Sequence, residues 1–215
     1  MDSDQTVRVP MEQFSFKRVI RNTFGKWLPT PWFILQYRRS STKIRSQRDR
    51  DRVFTEFLAS TSGECLQIAV KDEMRQKFGP NWTSVDKYDH SAVIDRHDDV
   101  EALDFPDETF NAVVCWSVLE HVPHPHRAIA ELHRVLKPGG QIWVQLPFLF
   151  PYHADPNDYW RVTPNGLRIW MEDFQEIECG CDYWARIPIV AATFYWGIKP
   201  PVASGAASEA AAPAL

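Results

Sequence analysis

The sequence predicts an α/β protein, a doubly wound and mostly parallel seven-stranded sheet with an N-terminal helical extension. Two observations carry most of that expectation. Residues 111–116 (Asn-Ala-Val-Val-Cys-Trp) form a continuous apolar run, the pattern of a parallel strand covered on both faces. An amphipathic helix is predicted over 126–136, where Ile129, Leu132, Val135 and Leu136 fall on one face, and Lys137-Pro138-Gly139-Gly140 leads into a second apolar run at 141–146. In this reading glycine supplies a left-handed cap and proline cannot continue the helix. Strand, helix and strand with tight connections make a right-handed crossover unit.

The remaining elements follow in order. A helix is expected over 49–59, with Val53, Phe57 and Leu58 inward, and Gly63-Glu64 turns into a first strand at 65–70. Twelve residues separate Val70 from Thr83, so the first crossover helix can have only one or two turns, near 74–78. A second strand at 83–85 is closed by Asp86, and a short third is expected at 92–94. Thr163-Pro164 is a cap and first-position pair, and it predicts a helix whose Leu167, Ile169, Trp170 and Met171 cover the sheet. Two last strands are expected at 174–179 and 193–198.

At 215 residues, 44% hydrophobic and net −4, the chain suits one soluble domain (49–200) with decorations. No apolar run approaches the ~20 residues of a membrane helix. The polar, acidic start does not look like a secretory leader, and a cytoplasmic location is expected. Cys65 and Cys115 fall in expected core strands, and Cys179-Gly-Cys181 is not a common zinc spacing, so free thiols are expected. Residues 1–50 carry eleven Lys/Arg against four Asp/Glu, a net of +7 that leaves −11 for the rest. This extension (1–48) interleaves its cations with aromatics such as Phe14, Phe16, Trp27 and Trp32. Three roles are open for it: a helical cap on the domain, peripheral contact of 14–45 with anionic membrane, and, with least support, nucleic-acid contact. The Ala-rich segment 201–215 reads as a disordered tail.

Over 63–198 the chain resembles the class I S-adenosylmethionine-dependent methyltransferases, in particular the type 11 group. The motifs are Asp99, Leu103-Asp104-Phe105, the strand 112–116, Leu119-Glu120-His121 and Leu136-Lys137-Pro138-Gly139-Gly140, with Asp104 where proline is usual. The resemblance implies an antiparallel hairpin from the last two strands and a cofactor, S-adenosylmethionine, outside the carboxyl ends of the strands, where strand order reverses. It places Gln67, Ala69 and Lys71 along the first strand and its tip. Asp86 would then meet the ribose, with Lys87 beside it, Asp99 and Val100 the adenine, and Trp116 and Ser117 the sulfonium; Trp116 reads equally as plain core, and His121 as a further polar contact at the pocket edge. Asp95 and Asp98 crowd Asp99 and compete for its role. The family's Gly-rich turn is missing, since no glycine occurs between 66 and 78, and Ala69 replaces the first. A methyl group there is tolerated while φ stays negative.

The loop after the fifth strand, 147–161, is rich in groups that exchange protons. It resembles a His-x-x-Pro-x-Asp-Tyr-Trp-Arg loop of methyltransferase-like proteins encoded with sugar pathways. His153 can take a proton from an acceptor hydroxyl, with Asp155 or Asp158 orienting it. An internal Asp158–Arg161 pair with Tyr159 and Trp160 packed as a lid is the structural alternative. A divalent ion on His153, Asp155 and Asp158 is a minor one, and no metal is expected. The function these residues imply is methyl transfer to a hydroxyl of a small molecule or glycan precursor. The missing glycines favour a second reading, a methyltransferase-like protein that binds a partner or another ligand without methylating; Asp86, Asp99 and His153 oppose it.

Overall fold

The computed structural model describes residues 47–70, 77–154, 156–183 and 190–201. The N-terminal extension, the first crossover helix with Lys71, Asp155 and most of the Ala-rich tail lie outside them. Helix α1 (Gln47–Ser60) leads into β1 (Cys65–Ile68), followed by β2 (Trp82–Asp86), β3 (Arg96–His97) and β4 (Phe110–Trp116). A 3-10 turn (Leu119–His121) and helix α2 (Pro125–Val135) connect to β5 (Leu136–Pro147), and α3 (Pro164–Trp170), β6 (Gln175–Tyr183) and β7 (Val190–Ile198) complete the order. The strands form one seven-stranded sheet ordered β3-β2-β1-β4-β5-β7-β6. The first five are parallel, and β7 and β6 add antiparallel as expected. No helix among the described residues is long and apolar enough to cross a membrane.

Side chains alternate across a strand, so a continuous apolar run feeds two cores. Leu66, Ile68, Val113, Cys115, Ile142 and Val144 face α2 and α3, whose Ile129, Leu132, Leu167 and Met171 cover them. Cys65, Ala112, Val114, Trp143 and Phe194 face the other way, onto Val53, Phe54 and Phe57 of α1. The expected apolar face of α1 therefore shifts: Phe54 is buried, whereas Leu58 is only partly so. Leu167 of α3 and Met171 at its C-terminal cap lie four residues apart on the covered side, and Ile169 stands 65% exposed on the other, contrary to expectation. Thr163 caps this helix by accepting from the Gly166 amide at 3.2 Å.

Two boundaries differ from the sequence reading for physical reasons. The third strand is not at 92–94 but at Arg96–His97. There Ser84 Oγ donates to the Val93 carbonyl at 2.5 Å, and Asp95 Oδ2 accepts from the Ser84 amide at 2.8 Å, so side chains replace the ladder the backbone would have made. The second difference is that α2 stops at Val135 and Leu136 is already extended, so Lys137-Pro138-Gly139-Gly140 begins β5 rather than capping a helix. Gly139 does take a left-handed φ of +78°, but its amide donates to the Lys199 carbonyl, at 2.8 Å. The last turn of α2 is closed instead by the buried ammonium of Lys199, which donates to the carbonyls of His133 (2.9 Å) and Leu136 (2.7 Å). Cys65, Cys115 and Cys179 are free thiols, the first two buried.

Candidate active site

Strand order reverses between β1 and β4, so a cleft is expected above their carboxyl ends. On the β1 side, Ala69 follows the strand with φ +61°, in the left-handed region, and its amide donates to the Val85 carbonyl at 2.7 Å. The negative φ expected for this alanine is thus not what it adopts: the turn that favours glycine is made here despite the methyl group. Gln67 is buried, and its Oε1 accepts from the Phe78 amide at 3.3 Å, which ties down the chain where it returns to the sheet.

Asp86 ends β2, and its Oδ1 accepts from the amides of Tyr88 (2.7 Å) and Asp89 (2.8 Å). These bonds fix the carboxylate, and among the described residues Oδ2 has no donor, so it can accept from a ligand. Lys87 donates to Asp99 Oδ2 at 2.6 Å, and this bond raises the lysine's pKa. Burial would raise the Asp99 carboxyl, but the Lys87 bond and the Glu101 amide hold it below its ordinary value. Its two neighbours serve the backbone. Asp95 braces Ser84, while Asp98 accepts from the Asp99 amide (2.9 Å) and the Asp104 amide (2.7 Å). Arg134 of α2 holds this loop from beneath, donating to the carbonyls of Leu103 (2.8 Å) and Phe105 (2.7 Å). Val100 is buried beside Asp99.

At the tip of β4, Ser117 also turns left-handed (φ +54°) and bonds to the Gln145 carbonyl. Trp116 packs back on α1: its ring meets Phe54 edge-on at 4.8 Å, and the Arg50 guanidinium lies 5.5 Å from its centroid. The Arg50 cation takes one face of the ring, so the sulfonium role expected for Trp116 would fall to the other face.

The loop after β5 folds back over the 3-10 turn, with the Tyr159 amide on the Glu120 carbonyl (2.7 Å) and Trp160 Nε1 on the Val122 carbonyl (2.8 Å). His121 Nδ1 is bonded to the Asn157 carbonyl, and the His121 and His153 rings meet edge to face at 4.9 Å. His153 Nδ1 lies 3.2 Å from Asp158 Oδ2 and 3.3 Å from the Pro151 carbonyl. Asp158 is gripped by the Arg161 fork at 2.6 and 2.7 Å, and this pair holds its carboxyl well below the usual carboxylate range. Asp158 also accepts from the His153 amide (2.9 Å), so the internal ion pair and the orienting of His153 are one arrangement. Beneath them the Glu120 side chain is fully buried. Burial pushes its carboxyl up to about 8, against the pull of its own amide and of Arg161.

A family model described as a methyltransferase domain matches residues 52–144. This span contains β1 to β4, both carboxylate tips and the Leu119-Glu120-His121 turn. Over these 93 residues the chain is similar to a methyltransferase domain. A phosphatidylethanolamine N-methyltransferase of Cereibacter sphaeroides is 45% identical over 47 residues, 22% of this chain and 23% of that protein. A ubiquinone biosynthesis O-methyltransferase of Pseudomonas syringae pv. tomato is 50% identical over 36 residues, 17% and 16% of the two chains. These alignments thus span less than a quarter of the relatives' length. Among solved structures, a SAM-dependent methyltransferase from Methanosarcina mazei aligns at TM-score 0.50 and 15% identity, covering 69% of this chain and 98% of that one. The [4+2]-cyclase SpnF aligns at TM-score 0.52 and 17% identity, covering 71% and 81%. At such identities the likeness is one of fold.

S-adenosylmethionine is the cofactor that goes with this methyltransferase domain. The residues present fit it on three counts: the left-handed turn is kept at Ala69, the Asp86 carboxylate is fixed with one oxygen open, and both flank the point where strand order reverses. Ala69, Asp86, Lys87, Asp99 and Val100 follow the ends of β1 to β3, with Lys87 bonded to Asp99, and Ser117, His121 and His153 follow the ends of β4 and β5, with the two histidine rings in contact. Gln67 is committed elsewhere and Trp116 packs on Phe54, while Lys71 and Asp155 lie outside the described residues. The sequence reading missed Glu120. Its signal was present: an acidic residue inside the apolar stretch Val118-Leu119-Glu120-His121-Val122, with no cation at helical spacing within it.

Proposed function

We propose that this methyltransferase domain transfers a methyl group to a hydroxyl of a small molecule or glycan precursor. The observation that carries the reading is the division of one sheet edge into two chemically different halves. Fixed carboxylates, Asp86 and Asp99, occupy the β2–β3 side, and an imidazole backed by a buried ion pair, His153 with Asp158 and Arg161, occupies the β5 side. Asp86 Oδ2 would accept from the ribose, and Asp99 with the Val100 amide would meet the adenine, after release of Lys87. When bound, the cofactor supplies a methyl group on a positively charged sulfur. The chain then has to position the acceptor and receive its proton, so orientation supplies much of the rate. His153 is the group placed to take that proton. Asp158 fills the orienting role that Asp155 was expected to share.

The ligand test comes first. S-adenosylmethionine or S-adenosylhomocysteine at millimolar concentration should raise the melting temperature, because a ligand that binds only the folded state stabilises it by mass action. Asp86→Ala should weaken that binding roughly ten- to hundredfold, the equivalent of about 1.5–3 kcal/mol for hydrogen bonds to a charged group. Isothermal calorimetry checks both, and an unchanged affinity in the variant means that the ribose is held elsewhere.

A second reading is favoured by the likeness to SpnF, named as a [4+2]-cyclase, on a similar fold. If the chain binds the cofactor tightly yet labels no acceptor from a methyl-tritiated donor, the non-methylating reading stands. The basic segment 14–45 is proposed to lie on anionic membrane. Deleting it should then abolish sedimentation with phosphatidylserine vesicles and spare cofactor affinity, and the attraction should fall with salt. Insoluble protein after the deletion would make the segment part of the folded core instead.

A further inference from the structure

We propose that Glu120, His121 and His153 form a three-ligand site for a divalent first-row transition ion. Their ligand-capable atoms all lie within 4.8 Å of one another. Bonds of roughly 2.0–2.2 Å at tetrahedral or octahedral angles separate ligand atoms by roughly 3.0–3.5 Å, so a contraction of up to roughly 1.3–1.8 Å closes the set. His121 Nε2 and Glu120 Oε1 are already 3.7 Å apart.

The independent observation is the Glu120 carboxylate. It is fully buried, and neither oxygen has a hydrogen-bond partner in another residue among those described. A buried carboxyl with nothing to accept from is costly, and a cation between it and the imidazoles removes that cost. Tautomers point the same way. The Asn157 carbonyl can only accept, so His121 Nδ1 bears the proton and Nε2 faces Glu120 with a lone pair. A lone pair and a carboxyl oxygen face to face at that distance are reconciled by a proton on the carboxyl or by a metal ion, and only the ion also engages His153. For His153, the acceptors Asp158 (3.2 Å) and Pro151 (3.3 Å) lie nearer Nδ1 than the Arg161 donor (3.5 Å), so the proton sits on Nδ1 and Nε2 carries the lone pair. Both imidazoles are thus oriented through Nδ1–H by an oxygen behind them, the arrangement that usually backs metal-ligating histidines. The nearby Arg161 charge is neutralised by its fork on Asp158.

Two imidazoles and one carboxylate suit zinc, manganese, iron or cobalt better than magnesium or calcium, and three protein ligands leave coordination positions open. If the β5 side receives the methyl acceptor, which rests on the function proposed above, an open position would hold the acceptor oxygen. His153 would then be a ligand and not a free base.

The test uses the full chain, stripped with a chelator, without cofactor or acceptor. Equilibrium dialysis against Mn²⁺ and Co²⁺ should give one ion per chain, and bound Co²⁺ should show visible ligand-field bands. Glu120→Gln and His153→Ala should each lower the affinity at least tenfold, while Asp86→Ala leaves it unchanged. Should Glu120→Gln fail to fold, His153→Ala, on a part-exposed loop, carries the comparison. Absent binding overturns the site. So does binding that survives both variants, or that is lost only when Cys179 and Cys181 are blocked. Cofactor affinity is measured separately, so a metal-free protein that binds S-adenosylmethionine refutes this site and leaves the methyltransferase reading intact.

Discussion

Replacing His153 with alanine is expected to lower turnover by roughly 10²–10⁴-fold while leaving cofactor affinity nearly unchanged, the scale usual for a positioned proton acceptor. The separation follows from the architecture. His153 leaves the tip of β5 and is tied to Asp158 and Arg161, whereas the carboxylates proposed to hold the nucleoside project from β2 and the loop after β3. The measurement is single-turnover methyl transfer to an acceptor found by screening sugars and small alcohols, paired with calorimetry on the same variant. Full turnover in His153→Ala would reduce the loop to a cover. Loss of cofactor binding together with turnover would show that the two halves of the edge are not separate.

The largest stability effect should come from Trp143→Ala, at about 3–5 kcal/mol. The Trp143 ring is fully buried, stacks on Phe194 at 5.2 Å with an interplanar angle of 6°, and contacts Phe54 and Phe57 at 4.9 and 5.9 Å. It thus joins β5, β7 and α1 through one side chain, and its removal leaves a void that surrounding strands cannot collapse to fill. In urea the midpoint should fall with little change in slope. Trp143→Phe should cost much less, because it keeps most of the contact and deletes an indole N–H that has no hydrogen-bond partner among the described residues. A small effect of the alanine variant would mean that α1 packs on the sheet less tightly than this geometry requires.

The fold was largely legible because apolar periodicity is a local signal. The run 111–116, the helical face of Ile129, Leu132 and Val135, and the Thr163 cap all appear where the pattern put them. What the pattern could not show was decided by partners distant in sequence. The start of β5 at Leu136 depends on the chain near Lys199, and the displacement of β3 depends on Ser84 and Asp95 taking over backbone groups. At the site, carboxylates at strand tips could be read from position, because the tip of a parallel strand is where ligands meet the sheet. The direction in which a side chain leaves its strand could not, which is why Trp116 reads equally as lining or as core and proves to pack on Phe54. Glu120 escaped notice for a related reason. A charged residue one position from a histidine reads as solvated until burial shows that neither oxygen meets a donor from another residue among those described.

The closure of α2 by Lys199 has a consequence for biosynthesis. The ammonium and the carbonyls it serves are 63 and 66 residues apart in the chain. At roughly 5–20 residues per second, a ribosome needs about 3–13 s to add that stretch. Throughout that interval the nascent crossover unit has its helix and central strands but not the side chain that satisfies the helix end. The hairpin of β6 and β7 is equally absent, so β5 presents an open edge of unpaired amides and carbonyls. The antiparallel side of the sheet and the seal on α2 are therefore completed only after β7 and Lys199 have been made. A chain released before Lys199 would expose both an unsealed helix and a strand ready to pair with a neighbour, the combination that quality-control chaperones recognise.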